Sequence, residues 1–270
     1  MSSSDATITA IEPPALPEDS VLGLTLLTDV GCILPCDAVF DFLVSGVDLA
    51  LGQAALTVVI DAGTCLSFTE PKATVYGLAP GWHLLRAALV GPPHGVSFMV
   101  PTTYVEAEFY VEDPSIGPAH PRPYLFGAPS LCLLQPVGRP MPGAPTAVPS
   151  ASAASTAEPI DWTNAGLVID PIAHNCEIST AAHGFQLRVY ANGCLLASTS
   201  DLVAFRVVVP PELASRIIHS TPINPVPGPA PEGQAWVEVL ALLVNPANEE
   251  VLMPEWGAQR RSVLVLTTSS

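Results

Sequence analysis

The chain has 270 residues, 49% of them apolar and 13% charged, and its 25 acidic residues against 9 basic ones give a net charge of −16. Nucleic-acid binding needs a basic stripe that displaces phosphate counterions, and the densest basic pair is Arg260-Arg261, so that class is excluded and an anionic membrane surface is disfavoured. Thirty prolines and nineteen glycines break the chain too often for long helices, and no apolar run reaches the roughly 18 residues of a membrane span.

Residues 1–30 read as a polar, then Pro-punctuated tail and lead-in. They lack a basic n-region and an apolar h-region, which predicts a cytoplasmic protein. Over 31–113 the strand signals are Ala38–Ser45, Ala55–Ile60, Lys72–Tyr76, His83–Val90 and Thr103–Glu112, with Gly- and Pro-containing breakers between them. From 114 to 160 the chain is rich in Pro, Ala and Ser and reads as a linker, interrupted by an apolar island at Tyr124–Gln135 that could dock on a domain surface. Strand signals resume over 161–270 at Gly166–Ile169, Cys176–Thr180, Phe185–Ala191, Val203–Pro210, Ala235–Asn245 and Ser262–Thr267. Short strands at this spacing predict an all-β protein of two tandem immunoglobulin-like β-sandwiches.

The halves also resemble each other. Without a gap, WHLLRAALVGPPHGVSFM from Trp82 faces WVEVLALLVNPANEEVLM from Trp236, and the same register sets Phe109–Val111 opposite Val263–Val265. Upstream, LTVVIDAGTCL from Leu56 resembles LRVYANGCLL from Leu187, and FDFLVSG ending at Gly46 sits opposite ISTAAHG ending at Gly184. Three matches in one order favour an internal duplication.

The stretch YGLAPGWHLL is a turn feeding a strand. Pro80 pre-sets φ and Gly81 accepts the positive φ that a type II turn demands. Period-two parity then puts His83, Leu85, Ala87 and Leu89 on one face, the core face, because the second half has Val237, Val239, Ala241 and Leu243 there. Trp82 and Trp236 fall on the opposite face.

Gly77, Leu78, Pro80, Gly81, His83 and Leu85 resemble the G-L-x-P-G-x-H-x-L turn of immunoglobulin-like and fibronectin-type-III-like modules. The resemblance implies that Leu78 is a buried plug, and that His83 is a structural corner residue whose polar tip bonds local backbone. Such modules often accompany carbohydrate-active enzymes as non-catalytic attachments.

Catalytic patterns fare poorly. Val58-Val-Ile-Asp61-Ala-Gly63 approaches an aspartic-protease strand, but Ala62 lacks the motif's hydroxyl and the repeat partner of Asp61 is Asn192, so no dyad can share a proton. Hairpin turns are the simpler reading of both sites. Nucleophile elbows and phosphate-cradling glycine patterns are absent, and the six histidines are dispersed. Cys32 and Cys36 have a zinc-like spacing without a second ligand pair, and Glu106, Glu108, Glu112 and Asp113 are a weak calcium candidate near one junction. The expectation is therefore no metal, no cofactor and no enzymatic activity. A structural or protein-binding module within a larger assembly is favoured. A carbohydrate-binding accessory, with Trp82 and Trp236 as stacking platforms, is the alternative, ahead of a hydrolase with an unrecognised site.

Overall fold

In the computed structural model, which describes residues 6–16, 21–61, 64–112, 130–136, 159–181, 184–220, 228–252 and 258–267, the chain divides into two units. One comprises Pro13–Phe126 with Gly143–Thr156, and the other Met1–Glu12 with Gly127–Pro142 and Ala157–Ser270. They are called here the N-terminal and C-terminal sandwiches. The first strand of the chain, β1 (Thr7–Ala10), belongs to the C-terminal one.

The N-terminal sandwich contains β2 (Gly23–Leu26), β3 (Ile33–Leu34), β4 (Ala38–Ser45), β5 (Ala55–Ile60), β6 (Thr64–Phe68), β7 (Lys72–Val75), β8 (Gly81–Gly91), β9 (Val96–Ser97) and β10 (Tyr104–Val111). One sheet runs β2-β4-β7 and the other β3-β10-β8-β5-β6, with β9 beside β8. In immunoglobulin lettering these are A-B-E and A′-G-F-C-C′, with the short A′ strand parallel to G. Alternation along each strand turns Phe40, Phe42, Leu56, Val58, Leu85, Ala87, Leu89, Phe109 and Val111 into one core between the sheets. Phe40 and Phe109 meet edge to face across it, ring centroids 5.0 Å apart, a favourable aromatic geometry.

The C-terminal sandwich contains β11 (Ser130–Gln135), β12 (Leu167–His174), β13 (Gln186–Ala191), β14 (Cys194–Thr199), β15 (Phe205–Val208), the helix α1 (Pro211–Ile218), β16 (Gln234–Val244) and β17 (Ala258–Leu266). Its sheets run β1-β15-β12-β11 and β14-β13-β16-β17, again A-B-E beside G-F-C-C′. A parallel bridge from Ile160 to Val265 stands where A′ meets G. Both units are immunoglobulin-like sandwiches, and the described residues are all-β apart from α1 and one short 3₁₀ turn. No helix among the described residues is long and apolar enough to cross a membrane.

Three sequence-based boundaries change. Residues 1–30 are not only a tail, because β1 pairs antiparallel with β15 from Thr7↔Val208 to Ala10↔Phe205. A four-residue strand with no buried side chain has no sequence signature, and only its partner makes it a strand. The apolar island is likewise not a docked piece of linker: β11 is the A strand of the C-terminal sandwich, and Leu131 and Leu133 enter its core. The buried Arg261 on β17 donates to the Leu133 carbonyl (3.1 Å), holding β11 from the opposite sheet. Finally, the strand signal at Gly166–Ile169 extends to His174 as β12, the B strand of the second half, whereas at Cys176–Thr180 the described residues show only a bridge from Ile178 to Phe185. Pro171 disguises β12 as a broken run. It is tolerated because β15 pairs only with Leu167–Ile169, leaving Pro171 in an edge-like position beside β11 alone.

The hairpin turns expected at Asp61 and Asn192 are present, and the helix α1 has no counterpart among the sequence-based strands. β6 and β14 complete the C–C′ hairpins, and α1 replaces the short E–F connection of the first sandwich. Leu213, Ala214 and Ile217 of α1 are buried in the core.

Deleting residues 1–12 removes the β1 ladder and bares the edge of β15. The C-terminal sandwich is expected to lose on the order of 2 kcal/mol, from a few ladder hydrogen bonds each contributing about 0.5–1.5 kcal/mol net. Denaturant unfolding followed at β16 amide signals measures this, with β8 signals as the internal reference.

Candidate functional site

The residues that looked catalytic form a backbone clamp. Asp61 ends β5 in the left-handed region (φ 54°), which Asp tolerates better than most residues. Its N–H donates to the Leu84 carbonyl (2.8 Å), and its Oδ1 accepts the Leu84 N–H (2.9 Å). The C–C′ turn is thereby tied reciprocally to strand F. The other oxygen, Oδ2, lies 2.8 Å from His83 Nδ1, while His83 Nε2 lies 2.6 Å from the Ala79 carbonyl in the E–F turn. His83 is 5% exposed and stacks on Phe109 at 5.2 Å.

Both ring nitrogens of His83 face acceptors, so the imidazolium, with two donors, is the form that satisfies both. Burial opposes this charge and pushes the pKa down. The hydrogen bond to Asp61, the Asp61 charge and the Ala79 carbonyl outweigh it, and the net shift is upward from 6.5.

The second sandwich repeats the clamp with different chemistry. Asn192, also left-handed (φ 43°), donates its N–H to the Glu238 carbonyl (2.9 Å) and accepts the Glu238 N–H at Oδ1 (2.8 Å). With Gly193 (φ 79°) it makes a two-residue hairpin turn in which both central residues have positive φ. An amide has donors where a carboxylate has a second acceptor. The Asn192 Nδ2 therefore donates directly to the carbonyls of Ile217 (3.0 Å) and Ser220 (3.4 Å) at the end of α1. The equivalent of His83 is Val237, a core residue.

The neighbouring turn residues serve the same corner. Leu78 is buried in the core, with its N–H on the Cys36 carbonyl (2.9 Å). Pro80 is exposed, and Gly81 takes φ 126°, a conformation that favours glycine.

Other candidates do not converge. Cys32 donates its thiol to Asp29, whose hydrogen bond and charge raise its pKa, and burial pushes Cys176 up to about 11, so neither is an activated thiolate. All six cysteines are unbridged. Among the described residues no three His, Cys, Asp or Glu side chains gather as a metal site. Of the calcium candidates, Glu106 is paired with the buried Arg86 (2.9 Å), and Asp113 lies outside the described residues.

The two tryptophans are placed differently. Trp82 lies on the outer face of the A′-G-F sheet, directly across from Tyr110, with ring centroids 5.3 Å apart at 65°. Together with Val30, Gly31, Cys32, Ile33 and Glu108 they line a pocket of about 400 Å³. Trp236 stands at the matching place on β16, but its cross-strand partner is Leu264, and it is 9% exposed. Tyr110 was not foreseen, and Glu108 was singled out only for calcium. Strand parity would have found both, because Glu108 and Tyr110 share the outward face of β10 that Phe109 and Val111 leave.

No protein-family model matches the chain, and no curated protein does. Among solved structures the chain is similar to the fibronectin(III)-like modules of CbhA from Clostridium thermocellum, at 13% identity over 90% of this chain and 93% of that one, with a TM-score of 0.25. The fold assignment rests on strand order, to which a superposition this loose adds nothing.

Because the folded pKa of His83 is raised, its contribution to stability is fully present below about pH 6.5 and is lost as pH rises through the folded value. The N-terminal sandwich is expected to be less stable at pH 9 than at pH 6, by urea midpoint at β8 amide signals. His83→Val combined with Asp61→Asn, which copies the second sandwich, is expected to flatten that difference. Asp61→Ala alone is expected to cost about 2 kcal/mol, since it leaves His83 and the Leu84 N–H without their acceptor.

Proposed function

We propose that the chain is an internally duplicated, non-catalytic module that binds a protein partner within a larger assembly. The observation that carries this reading is the open outer face of the β2-β4-β7 sheet. Along β4 the side chains alternate, with Ala38, Phe40 and Phe42 buried and Val39, Asp41 and Leu43 outward. Leu43 is 57% exposed and Leu27, beside Asp41, is 59% exposed, with Val39 and Tyr76 completing an aliphatic and aromatic surface. Exposed apolar residues gathered on one sheet face are the signature of an interaction site, whereas scattered ones are ordinary. Lys72, the single lysine of the sequence, sits 4.0 Å from Asp41 in the middle of that face.

The duplication is supported by the shared strand order and by the repeated Asx clamp. The non-catalytic reading is supported by the engagement of both Asp61 oxygens in backbone and His83 contacts, and by the replacement of Asp61 with Asn192 in the second copy. In this reading Leu78, Pro80, Gly81 and His83 are structural residues of the E–F corner. A second reading, a carbohydrate-binding accessory, is favoured by the pocket at Trp82 alone, because Trp236 is buried beside Leu264.

The partner test is affinity capture from native lysate with the tagged chain, run beside a Leu27→Asp/Leu43→Asp variant. A stoichiometric partner present with the parent chain and lost with the variant, at unchanged melting temperature, is the expected result. Equal capture by both chains contradicts the use of this face.

A further inference from the structure

We propose that the pocket at Trp82 and Tyr110 is a binding site for a protonated alkylamine, either a small free amine or a lysine side chain. Trp82 and Tyr110 form two walls set at 65° to each other, and Glu108, two residues before Tyr110 on the same face of β10, adds a carboxylate. Two aromatic faces and an acid make the surroundings in which ammonium groups are held, through the ring quadrupole and direct charge attraction.

Among the described residues the lining contains no lysine, arginine or histidine. Asp29, which holds the adjoining loop through the Gly31 N–H (2.9 Å) and the Cys32 thiol, adds to the negative potential at the rim. The net charge of −16 works in the same direction, drawing cations and repelling anions at long range.

A second, independent observation is the Tyr110 hydroxyl. Tyr110 is 8% exposed, and its hydroxyl is buried with no hydrogen-bond partner among the described residues. Buried hydroxyls are nearly always satisfied. An ammonium group entering the pocket points one N–H to Glu108, and giving Tyr110 Oη a donor requires its buried ring to rotate toward the occupant. A saccharide stacked on Trp82 is the competing occupant. Sugar sites use several side chains that both donate and accept toward neighbouring hydroxyls, and among the described residues this lining offers side-chain oxygens only at Glu108 and Tyr110.

The experiment is an NMR titration of the full chain with N-acetyl-lysine methylamide, the same compound acetylated at Nε, a lysine-containing tripeptide, and methyl β-glucoside. Saturable shifts at Trp82 Nε1–H and at the Glu108–Tyr110 amides are expected with the two amines and not with the acetylated compound or the glucoside. Tighter binding of the tripeptide than of the methylamide assigns the natural source to a lysine side chain, and equal binding to a free amine. Glu108→Gln is expected to weaken binding about tenfold, and Trp82→Ala at least as much. Tyr110→Phe, which keeps the ring, is expected to weaken it by a smaller factor. Binding of the acetylated compound as tight as that of the amine overturns the proposal, as does saturable binding of the glucoside alone or no saturable shift with either amine.

Discussion

Each sandwich depends on one residue at the C–C′ turn that holds strand F by its backbone in both directions. In each case the residue takes a left-handed conformation, donates its backbone N–H to the carbonyl of one F-strand residue and accepts that same residue's N–H at its side-chain Oδ1. Only Asp or Asn combines a short acceptor with tolerance of positive φ. What remains of the side chain then ties down the E–F connection. Asp61 has an acceptor left over and recruits His83, which relays to Ala79. Asn192 has donors left over and reaches the carbonyls at the end of α1 without a relay. The change from His83 to Val237 is thus linked to the change from Asp to Asn and to the insertion of a helix. Replacing His83 by Val while Asp61 stays leaves Asp61 Oδ2 and the Ala79 carbonyl without the donors that His83 supplies.

Fixing strand F fixes which side chains leave the core. With His83, Leu85, Ala87 and Leu89 inward, Trp82 must project from the outer face, and β10 brings Tyr110 directly opposite and Glu108 beside it. The same register in the second sandwich brings Leu264 opposite Trp236 and Ser262 opposite Glu238, so the scaffold is shared and the pocket chemistry is not. The charge pairs on the two F–G ladders also run in opposite senses, Arg86 to Glu106 in one and Glu238 to Arg260 in the other.

Much of this was legible in the sequence, for physical reasons. β4 and β5 announce themselves by alternation and β-branched content, and the gapless match from Trp82 to Trp236 carries the register of strands F and G. Period two, checked against Val237, places His83 in the core. The illegible parts are those where a distant partner decides the structure. β1 is a strand because β15 accepts it, β11 because Leu131 and Leu133 find a core and Arg261 bonds its backbone. Pro171 cuts the reading of β12 short at Ile169, since a proline in a run reads as a breaker unless the missing neighbour is known. Tyr110 carries no mark on its own strand, because a pocket is defined only when both strands of the pair, with Trp82 opposite Tyr110, are seen together.

The account is tested most directly by hydrogen exchange at the amides of Leu84 and Glu238, the two N–H groups that the Asx side chains accept. Both are predicted to exchange only through opening of the whole sandwich that contains them, and Asp61→Ala or Asn192→Ala is predicted to release its own amide while leaving the other protected. Fast exchange at either amide in the unmodified chain would contradict a shared clamp as the organising constraint of the two sandwiches.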